Sequence, residues 1–468
     1  MTRKLLLKRR TPASCALPHD ARSPHHPYLS TLLCLLCLGT SLLPAQTQPQ
    51  TQPQTQPQTQ PQTQPQTPTQ TPTPTPTVPL TLQQAVDLAR AFNPTLLAAR
   101  QHLSATQSTR LTAAARQNPT FTLLGQGVTL PQINNDGGNP YYYSAAVSRL
   151  FERGNKRALR LDAANATIDV TQSQLRDLER QTTLNVRTAF TAMLLAKAAI
   201  AVADENLTSY RKTLDLSKAR LDAGDITRTD FERIDLQQAQ FESDADTARL
   251  NLQQASAQLQ LLFGTTRPST TFDITGTLEL PPLALTMDAA EALALSTRPD
   301  FIAAQQSLRL AQANARYAIA GGTADPTLAA EYERSGADNT FGVNLAIPLR
   351  IFDRNQGEKD RTRYEVDSSR FAALAAHNQV ISDVDQAWFA LDTARRLADR
   401  YNNHYLDEAG RVRDNIQFSY RNGNSTLLDY LSALRDYRAT HLGSITANAQ
   451  VWLAIHQLSF ATATDILP

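Results

Sequence analysis

The sequence predicts a mixed α/β chain, mainly α, built as a duplicated repeat with four β-strands per chain and very long helices. Three observations predict it. Landmarks of the first half recur, in the same order, in the second. No Pro or Gly occurs between Arg157 and Leu221, which leaves room for on the order of 100 Å of unbroken helix. FGVNLAIPLRI at 341–351 alternates apolar and polar residues, the period of a strand with one buried face.

The elements follow in chain order. Basic residues in MTRKLLLKRR precede an apolar run from Leu29 to Leu43, and polar sequence follows Pro44-Ala45. Residues 1–45 therefore read as a signal peptide. The run is short for a membrane span, and no later run stands out as one. Cys15, Cys34 and Cys37 all fall in this segment, so the mature chain is expected to have no thiol for disulfides, thiolate metal sites or cysteine catalysis. Cys34 and Cys37 each follow Leu, where a lipoprotein cleavage site needs a small residue. Residues 46–79, a TQPQ repeat closing in TPTPTPT, read as an extended Pro/Gln/Thr-rich tether.

From Thr81 the chain reads TLQQAVDLARAFNPTLLAARQHLSATQ, and from Thr286 it reads TMDAAEALALSTRPDFIAAQQSLRLAQ. Pro94 answers to Pro299 and Leu103 to Leu308. Asn118-Pro119-Thr120 likewise answers to Asp325-Pro326-Thr327, and Phe151-Glu152-Arg153 to Phe352-Asp353-Arg354. The expected repeats are 80–264 and 286–462, with a linker at 265–285. Each repeat starts with a helix behind Thr81 or Thr286 as N-cap and carries a proline break. Two strands follow, at about 119–130 and 140–151 in the first repeat and 326–335 and 340–351 in the second. Tyr141, Tyr142 and Tyr143 resemble an interfacial aromatic belt, although a soluble antiparallel sheet would equally explain four such strands. A second long helix runs from about Lys359 to Tyr420, with Gly410 its weak point.

The stretch RLDAGDITRTDFERI breaks the first long helix and SYRNGNSTLLDYLSA the second. Gly224 matches Gly423, Asp230 matches Asp429 and Phe231 matches Tyr430. Glycine lets the backbone reverse tightly, so each stretch is the tip of a helical hairpin. Four strands cannot close a barrel, and open edges are not tolerated in lipid. Three chains would supply about twelve strands, within the range of outer-membrane barrels, and the helices would continue that cylinder as a coiled-coil barrel.

These segments resemble the outer membrane factors, the TolC-like efflux ducts, over about 80–460. IPLRIFDRNQGE and FERGNKRALR look most like the heavy-metal, CzcC-like branch. The resemblance implies a homotrimer with a twelve-stranded β-barrel in outer-membrane lipid and a periplasmic α-helical tunnel. It also implies a periplasmic adaptor (membrane fusion) protein and an inner-membrane pump of the RND type as partners. Gly224, Asp225, Ile226 and Thr227, with Gly423, Asn424, Ser425 and Thr426, match the family's tip turns, which would meet the adaptor. Asp222 and Asp225 could also line the periplasmic mouth and favour cations there, although a solvated helix end is the commoner explanation of such acids.

Chemistry is sparse elsewhere. The 45 basic and 43 acidic residues nearly balance, and without a dense basic face no nucleic-acid partner is expected. His102, His377, His404, His441 and His456 fall in no ligand spacing, and no nucleotide loop or HExxH occurs. Asp383 and Asp385 read as an ordinary helix face. No catalytic residue, metal site or cofactor is expected, and the expected role is a passive exit duct, with divalent heavy-metal cations as cargo. The alternatives are a duct for drugs, other small molecules or polypeptides, and a periplasmic coiled-coil scaffold. A scaffold would need neither the alternating strand nor the paired tips.

Overall fold

The structure, a computed structural model, describes residues 79–126, 142–282 and 285–466. The expected signal peptide, the tether apart from Pro79, the turn-rich QINNDGGNP and Tyr141 lie outside the described residues.

Helices α1 (Leu82–Phe92) and α2 (Pro94–Ala114) lead into strands β1 (Thr120–Gln126) and β2 (Tyr142–Leu150). Helix α3 (Lys156–Asp222) and helix α4 (Arg228–Leu262) then form a long hairpin. The order recurs in α5 (Met287–Thr297), α6 (Pro299–Gly321), β3 (Thr327–Ser335) and β4 (Asp338–Ala346). The second hairpin is α7 (Gln356–Arg400), a π-helical turn (Tyr401–Tyr405), α8 (Leu406–Arg421) and α9 (Leu427–Thr462).

Local chemistry explains the ends. Thr81 starts α1 with a capping box: its hydroxyl accepts the Gln84 N–H, and the Gln84 side chain accepts the Thr81 N–H at 2.9 Å. Thr286 sits at the N-cap of α5 without a side-chain cap bond, so the two starts differ. Pro94 and Pro299 stand at the first position of α2 and α6, where a missing N–H costs nothing. The second long helix is interrupted at Tyr401–Tyr405, whereas Gly410, the expected weak point, lies inside regular α8. One glycine on a helix costs only about 1 kcal/mol. At the π turn, Tyr401 packs against Gly443 of α9 and Asn402 accepts from Ser444 at 2.8 Å.

Each half has its own core. In the first, Ala85, Val86 and Ala89 of α1 pack on Val186, Phe190 and Met193 of α3 and Leu259 of α4. In the second, Ala290 and Ala294 of α5 pack on Val384 and Leu391 of α7 and Val451, Ile455 and Leu458 of α9. Alanine on one side of each contact brings helices close, while the larger residues fill the gap from the other. Helix α3 also contains an 18-residue window of mean hydropathy 1.6, long and apolar enough to cross a membrane. The sequence reading passed over it. Val186, Phe190 and Met193 of this helix pack in the first core, and 39% of the window is buried.

The sheet is antiparallel in the order β1-β2-β3-β4, so β1 and β4 are its open edges. The fourth strand ends at Ala346, short of the expected 351. Pro348 has no N–H to give to a ladder, and the chain turns away there toward α7.

Candidate functional site

The register separates the sheet into two unlike faces. Phe121 pairs with Val147, Val147 with Ala330 and Ala330 with Val343. One step along, Leu123, Ala145, Tyr332 and Phe341 form a second such row. These rows share one face, since side chains alternate along a strand. Thr122, Ala146, Glu331 and Gly342 form a row on the other face, as do Ser144, Glu333 and Thr340. The apolar face is bare on the single chain: Phe341 is 85% exposed and Val343 79%. Exposed apolar area of this extent marks an interaction surface.

The aromatic belt expected at Tyr141–Tyr143 is narrower than its sequence suggests. Tyr143 lies on the apolar face beside Gly125, whereas Tyr142, one residue away, lies on the polar face. Consecutive residues of a strand cannot share a face.

A corner joins sheet to helices in each half. Gly154 and Asn155 take positive φ of 69° and 59°, as does Asn355 at 61°, and this left-handed step turns the chain from strand into helix. The Lys156 ammonium, nearly fully buried, donates to the Asp325 carboxylate at 2.6 Å and to the Thr323 carbonyl at 2.7 Å. Burial pushes the Asp325 carboxyl up, but the Arg153 N–H and Lys156 outweigh it and hold it below the ordinary carboxylate range. Arg153 and Lys156 belong to FERGNKRALR, while Asp325 precedes β3. This pair therefore links the two halves directly beneath the sheet.

At the far end of the helices lie the two tips. Gly224 has φ +82° and Gly423 φ +76°. The following N–H of Asp225 returns to the Arg220 carbonyl at 2.9 Å, and that of Asn424 to the Ser419 carbonyl at 2.9 Å. Each is the helix-ending arrangement in which a left-handed glycine satisfies carbonyls that the helix leaves open. The next helix starts at once. Thr227 caps α4 by accepting the Asp230 N–H at 3.1 Å. Thr426 caps α9 through the Asp429 N–H at 3.2 Å, and its own N–H donates to the Asp429 carboxylate at 3.1 Å. Hydrogen bonds from the Thr426 hydroxyl and N–H hold that carboxyl below its usual range.

Of the expected tip residues, Gly224, Asp225, Thr227, Gly423, Asn424 and Thr426 are exposed, and Ile226 and Ser425 are half-buried. Asp222 and Asp225 are both exposed. The structure brings the two tips to the same end through tyrosine contacts that the sequence reading did not anticipate. Tyr420 and Tyr430 stack at 5.2 Å, and the Tyr430 hydroxyl meets the Thr213 hydroxyl at 2.9 Å. The Tyr210 hydroxyl donates to the Ile234 carbonyl at 2.6 Å. Burial pushes the Tyr210 phenol far above its ordinary value, so it remains a donor at any physiological pH. Tyr420 and Tyr430 flank the second glycine turn, and that pairing was the one available signal.

Asp383 also departs from its expected role as a helix-face acid. It lies 2.9 Å from Arg298, which is almost completely buried at the N-cap of α6. Among the described residues, no group of three His, Cys, Asp or Glu side chains has metal-holding geometry.

Comparison with known proteins places this arrangement. The model of the family described as outer membrane efflux protein matches residues 85–265 and 292–464. The cobalt-zinc-cadmium resistance protein CzcC of Cupriavidus metallidurans is 24% identical over 387 residues, covering 81% of this chain and 90% of that protein. A membrane protein of Pseudomonas aeruginosa superposes with a TM-score of 0.72 at 20% identity, over 81% of this chain and 92% of its own. The outer membrane protein VceC of Vibrio cholerae gives 0.67 at 16% identity, over 82% and 96%.

Proposed function

This chain belongs to the outer membrane efflux protein family, and we propose that within it the protein is the exit duct of a tripartite heavy-metal efflux system. The fold is that of the family's channels, and the protein resides in the outer membrane with its helices in the periplasm.

The observation that carries the duct reading is the two-faced sheet. Its apolar side is bare and its polar side holds Glu331 and Glu333, the apolar-out, polar-in pattern of a membrane barrel. Both edges are open, and unpaired N–H and C=O groups cannot remain so in lipid. Three chains, each edge β1 joined to the next chain's β4, close about twelve strands around a wet passage. The two hairpins of each chain then extend that passage into the periplasm, and the tip turns form the surface that meets the adaptor. Asp222 and Asp225 border the mouth there. The duct transmits what an inner-membrane pump of the RND type delivers and has no reaction of its own.

Similarity to the cobalt-zinc-cadmium resistance protein supports divalent metal cations as cargo. The duct reading is tested by purification in detergent followed by planar-bilayer recording. A trimer that opens a conductance is expected; a compact monomer that leaves bilayers silent overturns it. The cargo reading is tested by deleting the chain in its own cells. Zinc, cobalt and cadmium should accumulate. Unchanged metal content with retained drugs would reassign the cargo and leave the duct intact.

A further inference from the structure

Where β2 runs out into α3, three arginines gather without a carboxylate partner among the described residues. Arg116, Arg149 and Arg157 line a cavity of about 670 Å³ together with Leu150, Phe151 and Leu161. Two other charged groups border it, and both are engaged. Glu152 accepts from Arg160 at 2.6 Å, and Lys156 is held by Asp325. Among the described residues, none of the three arginines forms an ion pair with a carboxylate. Arg157 is held in place by donating its Nε–H to the Ala114 carbonyl at 2.6 Å, and Arg149 lies 5.3 Å over the Phe151 ring.

The place of this cavity in the fold defines its ligand. Arg149 follows Tyr143, Ala145 and Val147 on the apolar face and pairs with Leu328 across the ladder. It therefore ends the apolar face on the side of the helices. The walls join apolar side chains to three guanidinium groups, with Glu152 and Lys156 already engaged elsewhere, which suits a molecule that is part acyl chain and part anion. Arginine forks bind phosphate in two-pronged fashion, and basic residues at a membrane edge attract acidic headgroups. A free phosphate would leave the apolar wall uncovered. In the second half the matching Arg350 has Asp353 at 3.8 Å, so that corner carries its own counter-charge.

We propose that Arg116, Arg149 and Arg157 bind the phosphate of an anionic membrane phospholipid whose acyl chains lie along the exposed face of the sheet. The proposal rests on the reading of that face as lipid-facing. On that reading, with the helices in the periplasm, the lipid belongs to the periplasmic leaflet.

The test uses the full chain in detergent at fixed ionic strength, with phosphatidylglycerol, phosphatidylcholine and inorganic phosphate as probes and native mass spectrometry as readout. Arg157 is left intact because it also caps α2. Wild-type protein should prefer phosphatidylglycerol to phosphatidylcholine, and inorganic phosphate should fail to displace it. The R116Q/R149Q variant should bind phosphatidylglycerol roughly tenfold more weakly or worse. A wild-type chain without that preference, a variant with undiminished affinity, or displacement by inorganic phosphate would each overturn the proposal. Reconstitution separates this from the broader reading. A chain that inserts into vesicles yet ignores headgroup charge refutes only the cleft. A chain that stays in the aqueous phase refutes the lipid-facing sheet itself.

Discussion

The proline break of the first half and that of the second answer one geometric demand with different chemistry. Ahead of Pro94, Asn93 accepts the N–H of Thr95 at 2.9 Å and of Leu96 at 3.3 Å, and its amide donates to the Leu262 carbonyl at 2.9 Å. Ahead of Pro299, Arg298 has no acceptor with which to cap, and α6 begins without a side-chain cap. Its buried guanidinium pairs with Asp300 at 2.6 Å and Asp383 at 2.9 Å, while Asp300 lies 3.4 Å from Arg180 of α3. Burial opposes both charges. Arg298 and Arg180 nevertheless hold the Asp300 carboxyl below its ordinary range, and Asp300 and Asp383 raise Arg298. The first break is thus a neutral cap with one amide bond to the end of α4, whereas the second ties α3, α6 and α7 together through charge. Repeated topology demands only that each helix end be satisfied; the residues that satisfy it are free to differ.

The tips are where the halves agree most closely, and there the largest effect is expected. Replacing both Gly224 and Gly423 with Val places a β-branched residue at φ of +82° and +76°, a conformation costing roughly 1–2 kcal/mol even for an ordinary residue. Export should be abolished while trimers still reach the outer membrane, as judged by metal retention in cells and native gels of the membrane fraction. Wild-type export by this double variant would end the assignment of the tips as the adaptor surface.

The breaks themselves can be separated next. Arg298→Met removes the buried partner of Asp300 and Asp383, which are partly exposed, and leaves Asp300 with Arg180, so about 2–3 kcal/mol of stability should be lost. Asn93→Ala removes one cap, and about 1–2 kcal/mol is expected. Denaturant melts of both variants measure the contrast. Equal losses would mean that the ion-pair cluster binds the helices no more tightly than a single amide does.

Acid should find a weak point in the core shared by α3 and α9. Burial, and then the nearby Arg187, push the His456 imidazole down to about 4 from 6.5, and its Nε2 lies 3.1 Å from the Thr191 hydroxyl. A folded-state value below the unfolded one means that the folded chain resists protonation. The stabilisation is fully present above pH 6.5 and is lost as pH falls toward 4, by about 3 kcal/mol at most. His456→Gln should flatten this part of the pH–stability profile relative to wild type. Parallel profiles would place the acid sensitivity in other groups.

Much of this architecture was legible because it is locally encoded. Period-two alternation gave the faces of β4, and the paired glycine stretches marked both tips. Features set by distant partners were not legible. Nothing in the local sequence joins Asp383 to Arg298, or Tyr430 to Thr213, because each bond depends on which helices become neighbours. The end of β4 at Ala346 was missed for another reason: alternation continues through Ile351 although Pro348 cannot join the ladder. Of the candidate site, the turn geometry was readable, but the tyrosine packing that sets the tips side by side was not.

The π turn is a further difference between the halves, since α3 runs unbroken where the second half bulges at Tyr401–Tyr405. Its cause is testable at Gly443. A Cβ there would lie 3.0 Å from two ring carbons and the hydroxyl oxygen of Tyr401, so that side chain occupies space that any other residue would claim. The neighbouring Ser444 donates to Asn402 at 2.8 Å and secures the same bulge. Inside a helix, Gly→Ala normally gains about 1 kcal/mol. In the wild-type background Gly443→Ala should instead be neutral or destabilising, because the ring must shift. In a Tyr401→Ala background the same change should recover its gain, so the two substitutions should couple by about 1 kcal/mol or more. Thermal melts of the four variants measure this. Equal stabilisation in both backgrounds would mean that the bulge is held by the Asn402 contacts alone and that Gly443 is incidental to it.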